Sequence, residues 1–260
     1  MKHTINSIRI ACFMALSVLI STGFSSCKKK TDAPATGTFY FHMHTNIDTN
    51  EVADEAALYR DVMGRHFSLS SAQFYISAIT LHNANGTSYT FPDTYILKTI
   101  DSEVNIIGSA PIGTYTHVSF NVGLDAAANA TMPSSHASGT ALANSDMWFG
   151  NTGQGYKFMM IKGVADTTAA QNGTNLVHFS YEIGSAANLK TVTMPVRSSA
   201  YAPYILTKDG NEYIHVVCDY GVLLSGINFK TQDSTNTYTA NPAIATMIAD
   251  NINALFRYEE

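Results

Sequence analysis

The stretch FYFHMHT at residues 39–45 alternates apolar and polar side chains with a period of two. Because successive side chains of a β-strand point to opposite faces, the two phenylalanines and the methionine share one face, and the tyrosine and both histidines share the other. The stretch VHFSYEI at residues 177–183 repeats this pattern. Strands with one apolar and one polar face predict an all-β fold.

Seven further segments are rich in the β-branched and aromatic residues that strands favour; they cover residues 72–82, 89–97, 116–122, 156–164, 189–194, 204–207 and 213–220. Turn dipeptides such as Asn85-Gly86 and Asp209-Gly210 separate some of them. About nine short strands with such turns predict an antiparallel β-sandwich.

The C-terminal segment has a helical period instead. Asn241 and Pro242 supply an N-cap and a proline at the first helical position. The apolar residues that follow recur at helical spacing: Ile244, Met247, Ile248, Ile252, Leu255 and Phe256. This stripe predicts a C-terminal α-helix of about 14 residues that packs on the sandwich. Residues 51–66 show a weaker helical pattern.

The N-terminal segment resembles a targeting signal. Lys2 and Arg9 precede an apolar run at residues 10–20, which is shorter than the roughly 20 residues that span a bilayer. The FSSC that follows at residues 24–27 resembles the lipobox of bacterial lipoproteins, whose cysteine becomes acylated. The sequence thus predicts three regions: a lipoprotein signal peptide at 1–26, a tether at 27–38 that begins with a lipidated Cys27, and one domain at 39–260.

Either this signal or its alternative, an ordinary secretory signal, carries the protein out of the cytoplasm. The acylated Cys27 would make the membrane a partner of the protein. We expect a bacterial lipoprotein of the outer membrane that faces the periplasm or the exterior.

The composition excludes several classes of protein. The chain has 260 residues, of which 45% are hydrophobic and 13% charged, so it is too apolar to be disordered. Loss of Lys2 and Arg9 with the signal leaves 13 basic and 20 acidic residues, a net charge of −7, and we expect no nucleic-acid partner. Cys218 is then the one cysteine besides the acylated Cys27, which excludes a disulfide scaffold.

The sequence contains none of the common catalytic motifs. Gly-x-Ser-x-Gly, His-Glu-x-x-His, Cys-x-x-Cys and a phosphate-binding glycine loop are all missing. Cys218 falls on the apolar phase of its predicted strand, which favours a buried thiol over a nucleophile. We therefore expect a protein that is not an enzyme.

Histidines on polar strand faces are the candidate metal ligands. His42 and His44 are two residues apart on one strand, so their imidazoles leave the same face roughly 6.5–7 Å apart. Two neutral imidazoles at this spacing can converge on one metal ion, although a solvated polar face is the alternative. Two other pairs share a polar face in the same way: His178 with Glu182, and His215 with Asp219.

Two other features each allow two interpretations. Asp125 and Asn129 lie in a loop rich in carbonyl groups, which fits either a Ca²⁺ site or a solvated turn. Trp148, the only tryptophan, follows Met147, and by physical chemistry alone it is a core anchor.

Several segments together resemble the MbnP-like family of copper-binding proteins. FYISAITL at 74–81 resembles the family's strand Y-x-S-x-I-x-L. IGTY at 112–115 and VGLD at 122–125, with Asn129, are similar to its P-x-G-x-Y … G-V-D … N segment. The remaining matches are DMW at 146–148, GYKF at 155–158, KG at 162–163, FSYEIG at 179–184 and the final helix at 248–256.

The resemblance implies a periplasmic or surface β-sandwich that binds copper. It further implies that a partner di-haem cytochrome peroxidase oxidises the tryptophan, here Trp148, to kynurenine, which helps to bind copper beside histidines such as His42 and His44. The chain departs from the family at two places. Glu182 stands where the family has a histidine, and Gly163 follows Lys162 directly where the family has a glutamate between the two residues. These departures imply a family fold with an altered copper site.

Two hypotheses follow for the function. The first is a lipid-anchored copper-binding protein in which His42 and His44 hold the copper. Further donors would lie nearby: either Trp148 or Met147, and either His178 or His215. Thioether and imidazole suit Cu(I), and imidazole also suits Cu(II). The second is a non-catalytic lipoprotein on the same fold that has lost the copper site and binds a glycan or a protein.

Overall fold

The alternating stretch at residues 39–45 lies in the first strand of the structure, a computed structural model that describes residues 34–197 and 202–259. The strands of this part of the chain are β1 (Thr36–Ile47), β2 (Asn50–Glu51), β3 (Tyr59–Arg60), β4 (His66–Asn83), β5 (Ser88–Thr90), β6 (Ile96–Lys98), β7 (Val104–Pro111), β8 (Gly113–Val122), β9 (Lys157–Asp166), β10 (Leu176–Gly184), β11 (Lys190–Thr193), β12 (Tyr204–Leu206), β13 (Asn211–Asp219), β14 (Ser234–Asn236) and β15 (Phe256–Tyr258). The predicted signal peptide and Cys27 lie outside the described residues.

β1 is the centre of the first sheet, whose strand order is β15-β13-β1-β2. It pairs in parallel with β13 from Thr38 to Asn46. On its other edge it pairs antiparallel with β7, and near its end with β2. The first strand of the domain therefore lies beside strands from the C-terminal part of the chain.

The second sheet has the order β11-β8-β4-β9-β10-β14 and is larger. Its longest strand, β4, pairs with β9 along its first half and with β8 along its second half. The short strands β3, β5 and β6 also pair with β4, and β12 pairs with β8.

The structure confirms the predicted all-β sandwich and refines two of its details. The described residues form fifteen strands, more than the nine or so predicted, because many edge strands have only two or three residues. The sheets are mixed instead of purely antiparallel, since β1 with β13 and β10 with β14 run in parallel. Parallel neighbours need a long connection, and no local turn signal reveals such a pair in the sequence.

The two sheets enclose the main core, formed by the inward faces of β1, β4, β8, β9 and β10. Phe39, Phe41 and Met43 of β1 are fully buried in it, as the alternation predicts. The ring of Phe41 packs edge-on against Phe120 of β8, with centroids 5.5 Å apart. Cys218 of β13 is buried in the same core.

A second group of buried residues, here called the outer cluster, covers the opposite face of the second sheet. Tyr75 of β4 and Phe158 and Met160 of β9 point away from the main core. The long loop between β8 and β9 packs over them and contributes Met147 and Tyr156.

The helices are short: α1 (Ala126–Asn129), α2 (Tyr220–Leu223), α3 (Pro242–Asp250) and α4 (Ile252–Leu255), with 3-10 turns at Pro133–Ser135, Ala141–Ala143, Ser145–Met147 and Ala186–Asn188. The predicted C-terminal helix of about 14 residues is thus divided at Asn251. The Asn251 side-chain amide donates to the carbonyls of Leu223 and Ser225, both at 3.0 Å. Asn241 occupies the predicted N-cap position, but its side chain makes no capping bond.

The helical pattern at residues 51–66 gave a wrong prediction. Turns and β3 occupy this segment, and two tertiary contacts explain why. The Tyr59 hydroxyl accepts hydrogen bonds from the backbone of Ala53 and Asp54. The Arg65 guanidinium donates to two carbonyls of the segment that follows α2. These contacts replace the backbone bonds that a weakly amphipathic helix would offer.

The first strand begins before the predicted domain boundary at residue 39. β1 starts at Thr36 because Gly37 can lie tightly against its neighbours: a Cβ there would come within 2.6 Å of the Thr207 carbonyl. The predicted tether therefore overlaps the strand. None of the helices in the described ranges has the length and hydrophobicity needed to span a membrane.

Candidate metal centre

Parallel pairing of β1 with β13 brings three histidines to one outer face of the first sheet. His42 lies directly opposite His215, and paired residues on adjacent strands share a face. His44 follows two residues later on the same face. The ring centroid of His42 is 4.5 Å from that of His44 and 4.8 Å from that of His215.

His42 and His215 contact each other through their ring nitrogens. Their Nδ1 atoms are 2.9 Å apart, so in this arrangement one ring donates its N–H to the lone pair of the other. This is also the separation of two ligands on one metal ion. With bonds of about 2.0–2.1 Å, two nitrogens on a tetrahedral or square centre lie roughly 2.8–3.4 Å apart.

Glu259 completes this group of donors from the segment after β15. One of its carboxylate oxygens is 3.1 Å from His215 Nδ1, and the other is 3.4 Å from His44 Nε2. Donor atoms of His42, His44 and Glu259 all lie within 4.8 Å of one another. Two imidazoles and one carboxylate therefore lie close enough together to hold a single metal ion, and His215 adjoins them through His42 and Glu259.

Glu51 of β2 orients the ring of His44. Glu51 Oε1 accepts a hydrogen bond of 2.8 Å from His44 Nδ1, which leaves the lone pair on Nε2. That Nε2 atom is buried and has no hydrogen-bond partner among the described residues. Buried polar atoms normally make a hydrogen bond, so an imidazole nitrogen that makes none, inside a group of other donors, fits a metal ligand.

Glu103, just before β7, is the third carboxylate near the histidines. Its Oε2 lies 3.8 Å from His42 Nε2. With His44 and Glu51 it forms a second set of donor atoms within 4.8 Å of one another. The centre therefore combines three imidazoles with three carboxylates.

An open cavity of about 430 Å³ adjoins the centre, where Arg197, Glu212, Tyr213, His215 and Glu259 line it. Burial raises the pKa of Glu212, and this effect outweighs the lowering by Arg197 and His215 nearby. The His215 side chain is 48% exposed, whereas those of His42 and His44 are 23% and 17% exposed. An ion can reach the centre from this side.

A family model, MbnP, matches residues 36–241, which is most of the chain. The chain belongs to the MbnP family. The solved structure of MbnP from Methylosinus trichosporium aligns with a TM-score of 0.52 at 14% sequence identity and covers 74% of this chain and 79% of that chain. At that identity the likeness shows a shared fold. No curated protein matches the sequence.

Met147 and Trp148 of this MbnP-family chain lie apart from the histidines. Met147 is fully buried in the outer cluster, and the Trp148 ring contacts Tyr156 with centroids 4.9 Å apart. The outer cluster covers the outer face of the second sheet, whereas His42 lies on the outer face of the first. Among the described residues, no hydrogen bond or ring contact joins Trp148 or Met147 to His42 or His44.

His178 and Glu182 are also elsewhere in this MbnP-family fold. Both lie on the outer face of β10 in the second sheet, and His178 is exposed. Glu182 forms an ion pair of 2.8 Å with Lys157 and accepts a hydrogen bond from Asn236. The glutamate that replaces the family's histidine is thus engaged in structural contacts.

Asp125 and Asn129, the Ca²⁺ candidates, have structural roles in the loop. Asp125 Oδ1 caps α1 by accepting from the backbone of Ala127 and Ala128. Asn129 Oδ1 accepts 2.8 Å from the Tyr156 backbone. These oxygen atoms therefore hold the backbone of the loop in place.

The sequence analysis missed Glu51, Glu103 and Glu259. None of them follows a periodic pattern, and only the sheet topology brings them to the histidines. It also missed a stacked pair on the second sheet, His82 and His117, whose centroids are 4.3 Å apart. Burial lowers the pKa of His117, as does His82. The parallel rings of this pair do not converge on a common point.

Proposed function

We propose that this MbnP-family protein is a lipid-anchored, extracytoplasmic copper-binding protein without catalytic activity. The observation that carries the proposal is the grouping of donor atoms from His42, His44 and Glu259, with His215 beside them, where His44 Nε2 is buried and makes no hydrogen bond among the described residues. Imidazole is a good ligand for both oxidation states of copper. The membership in the MbnP family supports copper as the metal.

The residues of the centre would have different roles in binding copper. His42, His44 and His215 would hold copper through ring nitrogens, and Glu259 would supply a carboxylate oxygen. Glu51 fixes the tautomer and orientation of the His44 ring through its 2.8 Å hydrogen bond. The β1–β13 pairing sets the spacing of the imidazoles before any ion arrives.

A copper titration of the purified protein tests the proposal. We expect about one tightly bound copper per chain by elemental analysis after removal of excess metal. We expect His42→Ala/His44→Ala to lose it, because only His215 and carboxylates remain. His178→Ala is the matched control, since His178 is exposed on the second sheet. A wild type that binds no copper under oxidising or reducing conditions contradicts the proposal and favours the glycan- or protein-binding alternative.

Anchoring through Cys27 is part of the same proposal and is supported by the lipobox-like FSSC at residues 24–27. The mass of the N-terminal peptide of the native protein tests it, and an unmodified peptide would refute it. The action of a partner di-haem cytochrome peroxidase on Trp148 also stays a prediction. The mass of the tryptic peptide that contains Trp148 tests it.

A further inference from the structure

Three glutamates surround the histidines, and the proposed function needs only one of them. Glu51, Glu103 and Glu259 come from three separate elements: β2, the turn before β7, and the segment after β15. Within the described residues, the ion pairs of these glutamates are all with histidines and none is with lysine or arginine. The cationic side chains in direct contact with these glutamates are therefore imidazoles.

The sulfur-containing side chains of β1 and β13 point into the main core, on the opposite face from the histidines. Met43 separates the two histidines in sequence, but it is fully buried in the main core. Cys218 of β13 is also buried there, and burial raises the pKa of its thiol to about 12. The centre thus offers imidazole nitrogens and carboxylate oxygens, without a thioether or thiolate from the two central strands.

This donor set discriminates between the oxidation states of copper. Soft sulfur ligands select Cu⁺, whereas nitrogen and oxygen ligands suit Cu²⁺ and Zn²⁺. The attraction of each carboxylate for the ion also doubles when the ion's charge increases from one to two.

We propose that Glu51, Glu103 and Glu259 make the His42–His44–His215 centre selective for divalent ions, Cu²⁺ and Zn²⁺, over Cu⁺. This inference rests on the proposed function and specifies the ion that it concerns. Glu259 acts as a ligand, Glu51 as a positioning residue through His44 Nδ1, and Glu103 through its charge.

Separate affinities for the two oxidation states test the inference. Purified protein is titrated with Cu²⁺ in air against a competing chelator, and with Cu⁺ without oxygen against a Cu⁺-specific chelator. We expect Glu259→Gln to weaken Cu²⁺ binding at least tenfold and Cu⁺ binding less than threefold. The glutamine keeps the size of the side chain but removes its charge. We also expect Zn²⁺ to compete with Cu²⁺ in the wild type.

The reduction potential of the bound copper is an independent readout. A tenfold selective loss of Cu²⁺ affinity raises the potential of a one-electron couple by about 59 mV. Glu55→Gln is the matched control, because Glu55 is exposed in the turn after β2 and has no ion pair among the described residues. We expect it to leave both affinities and the potential unchanged.

Two results overturn the inference. One is an equal loss of Cu²⁺ and Cu⁺ affinity in Glu259→Gln; the other is that this variant loses neither affinity. Glu103→Gln serves as the second variant if Glu259→Gln does not fold, and a smaller loss of Cu²⁺ affinity is expected because Glu103 is 3.8 Å from His42. A wild type that binds neither ion defeats the proposed function itself, whereas normal copper binding with unchanged selectivity defeats only this inference.

Discussion

The two ring nitrogens of His44 have different environments. Its Nδ1 donates to Glu51, and its Nε2 is buried without a hydrogen bond among the described residues. A shift of β1 by one residue would exchange the faces and place Met43 outside and both histidines in the core. The phenylalanines on the inner face prevent this shift, because Phe39 and Phe41 are fully buried. The packing of the core therefore fixes the direction of the ligands.

The inner face also keeps a thiol away from the histidine centre. Burial raises the pKa of Cys218 to about 12, so its thiol is protonated at neutral pH. A protonated, buried thiol is neither a nucleophile nor a metal ligand. Lys98, whose ammonium donates to Thr45 Oγ1 at 3.1 Å, has its own pKa lowered by burial. Cys218 and Lys98 are thus buried ionisable groups that do not take part in the centre.

Trp148 gives a prediction at the scale of one residue. We expect Trp148→Phe to leave the Cu²⁺ affinity within about threefold of the wild type, because the indole lies in the outer cluster and contacts Tyr156. His44→Ala is the comparison and should lose at least tenfold. Chelator competition measures both. A large loss in Trp148→Phe would show that the tryptophan contributes to the copper site after all.

At the scale of elements, the alternation of apolar and polar residues predicted some strands well and did not predict others. β1 and β10 have clean apolar and polar faces, and both were predicted close to their bounds. β7 was missed because its sequence VNIIGSAP contains a glycine, ends in proline and lacks alternation. The predicted strand at 89–97 is divided into β5 and β6, which flank Pro92. Strand pairing depends on contacts that are distant in sequence, so the register of β1 with β13 was not predictable.

The same limit applies to the candidate site. His42 and His44 could be placed on one face from the sequence alone, because a strand has a period of two. His215 was one of several polar-face histidines, and only the parallel pairing selects it over His178. Glu259 lies 215 residues after His44 in the chain, and no local pattern connects the two.

Gly163 gives a prediction about the second sheet. It lies on β9 between β4 and β10, and a Cβ there would be 1.9 Å from the Ser68 carbonyl. A backbone atom cannot rotate away, so we expect Gly163→Ala to lower the free energy of unfolding by about 3 kcal/mol. Gly153→Ala is the control, since its nearest contact is a side chain at 3.4 Å. Denaturant titration measures both variants, and equal stabilities would contradict the packing argument.

At the scale of the whole molecule, the centre connects distant parts of the chain. Its residues come from the first strand of the domain, from β13 and from the segment after the last strand. β15 is attached to the first sheet through three residue pairs with β13. An ion held by His42, His44 and Glu259 would add a direct connection between β1 and the C-terminal segment. Metal binding should therefore stabilise the entire fold.

This connection predicts the thermal response to Cu²⁺. At a free Cu²⁺ concentration of 100 times Kd, binding adds about 2.7 kcal/mol to the free energy of unfolding. For a domain of this size, that corresponds to a rise in Tm of roughly 5–10 °C. Glu259→Gln at the same Cu²⁺ concentration should show about half this rise, because a tenfold weaker site gains about 1.4 kcal/mol. Without metal, its Tm should match the wild type, since surface contacts between Glu259 and histidines contribute little. Calorimetry with and without Cu²⁺ distinguishes the two effects: an equal rise in both proteins would mean that the ion binds without Glu259 and that the C-terminal segment is not part of the centre.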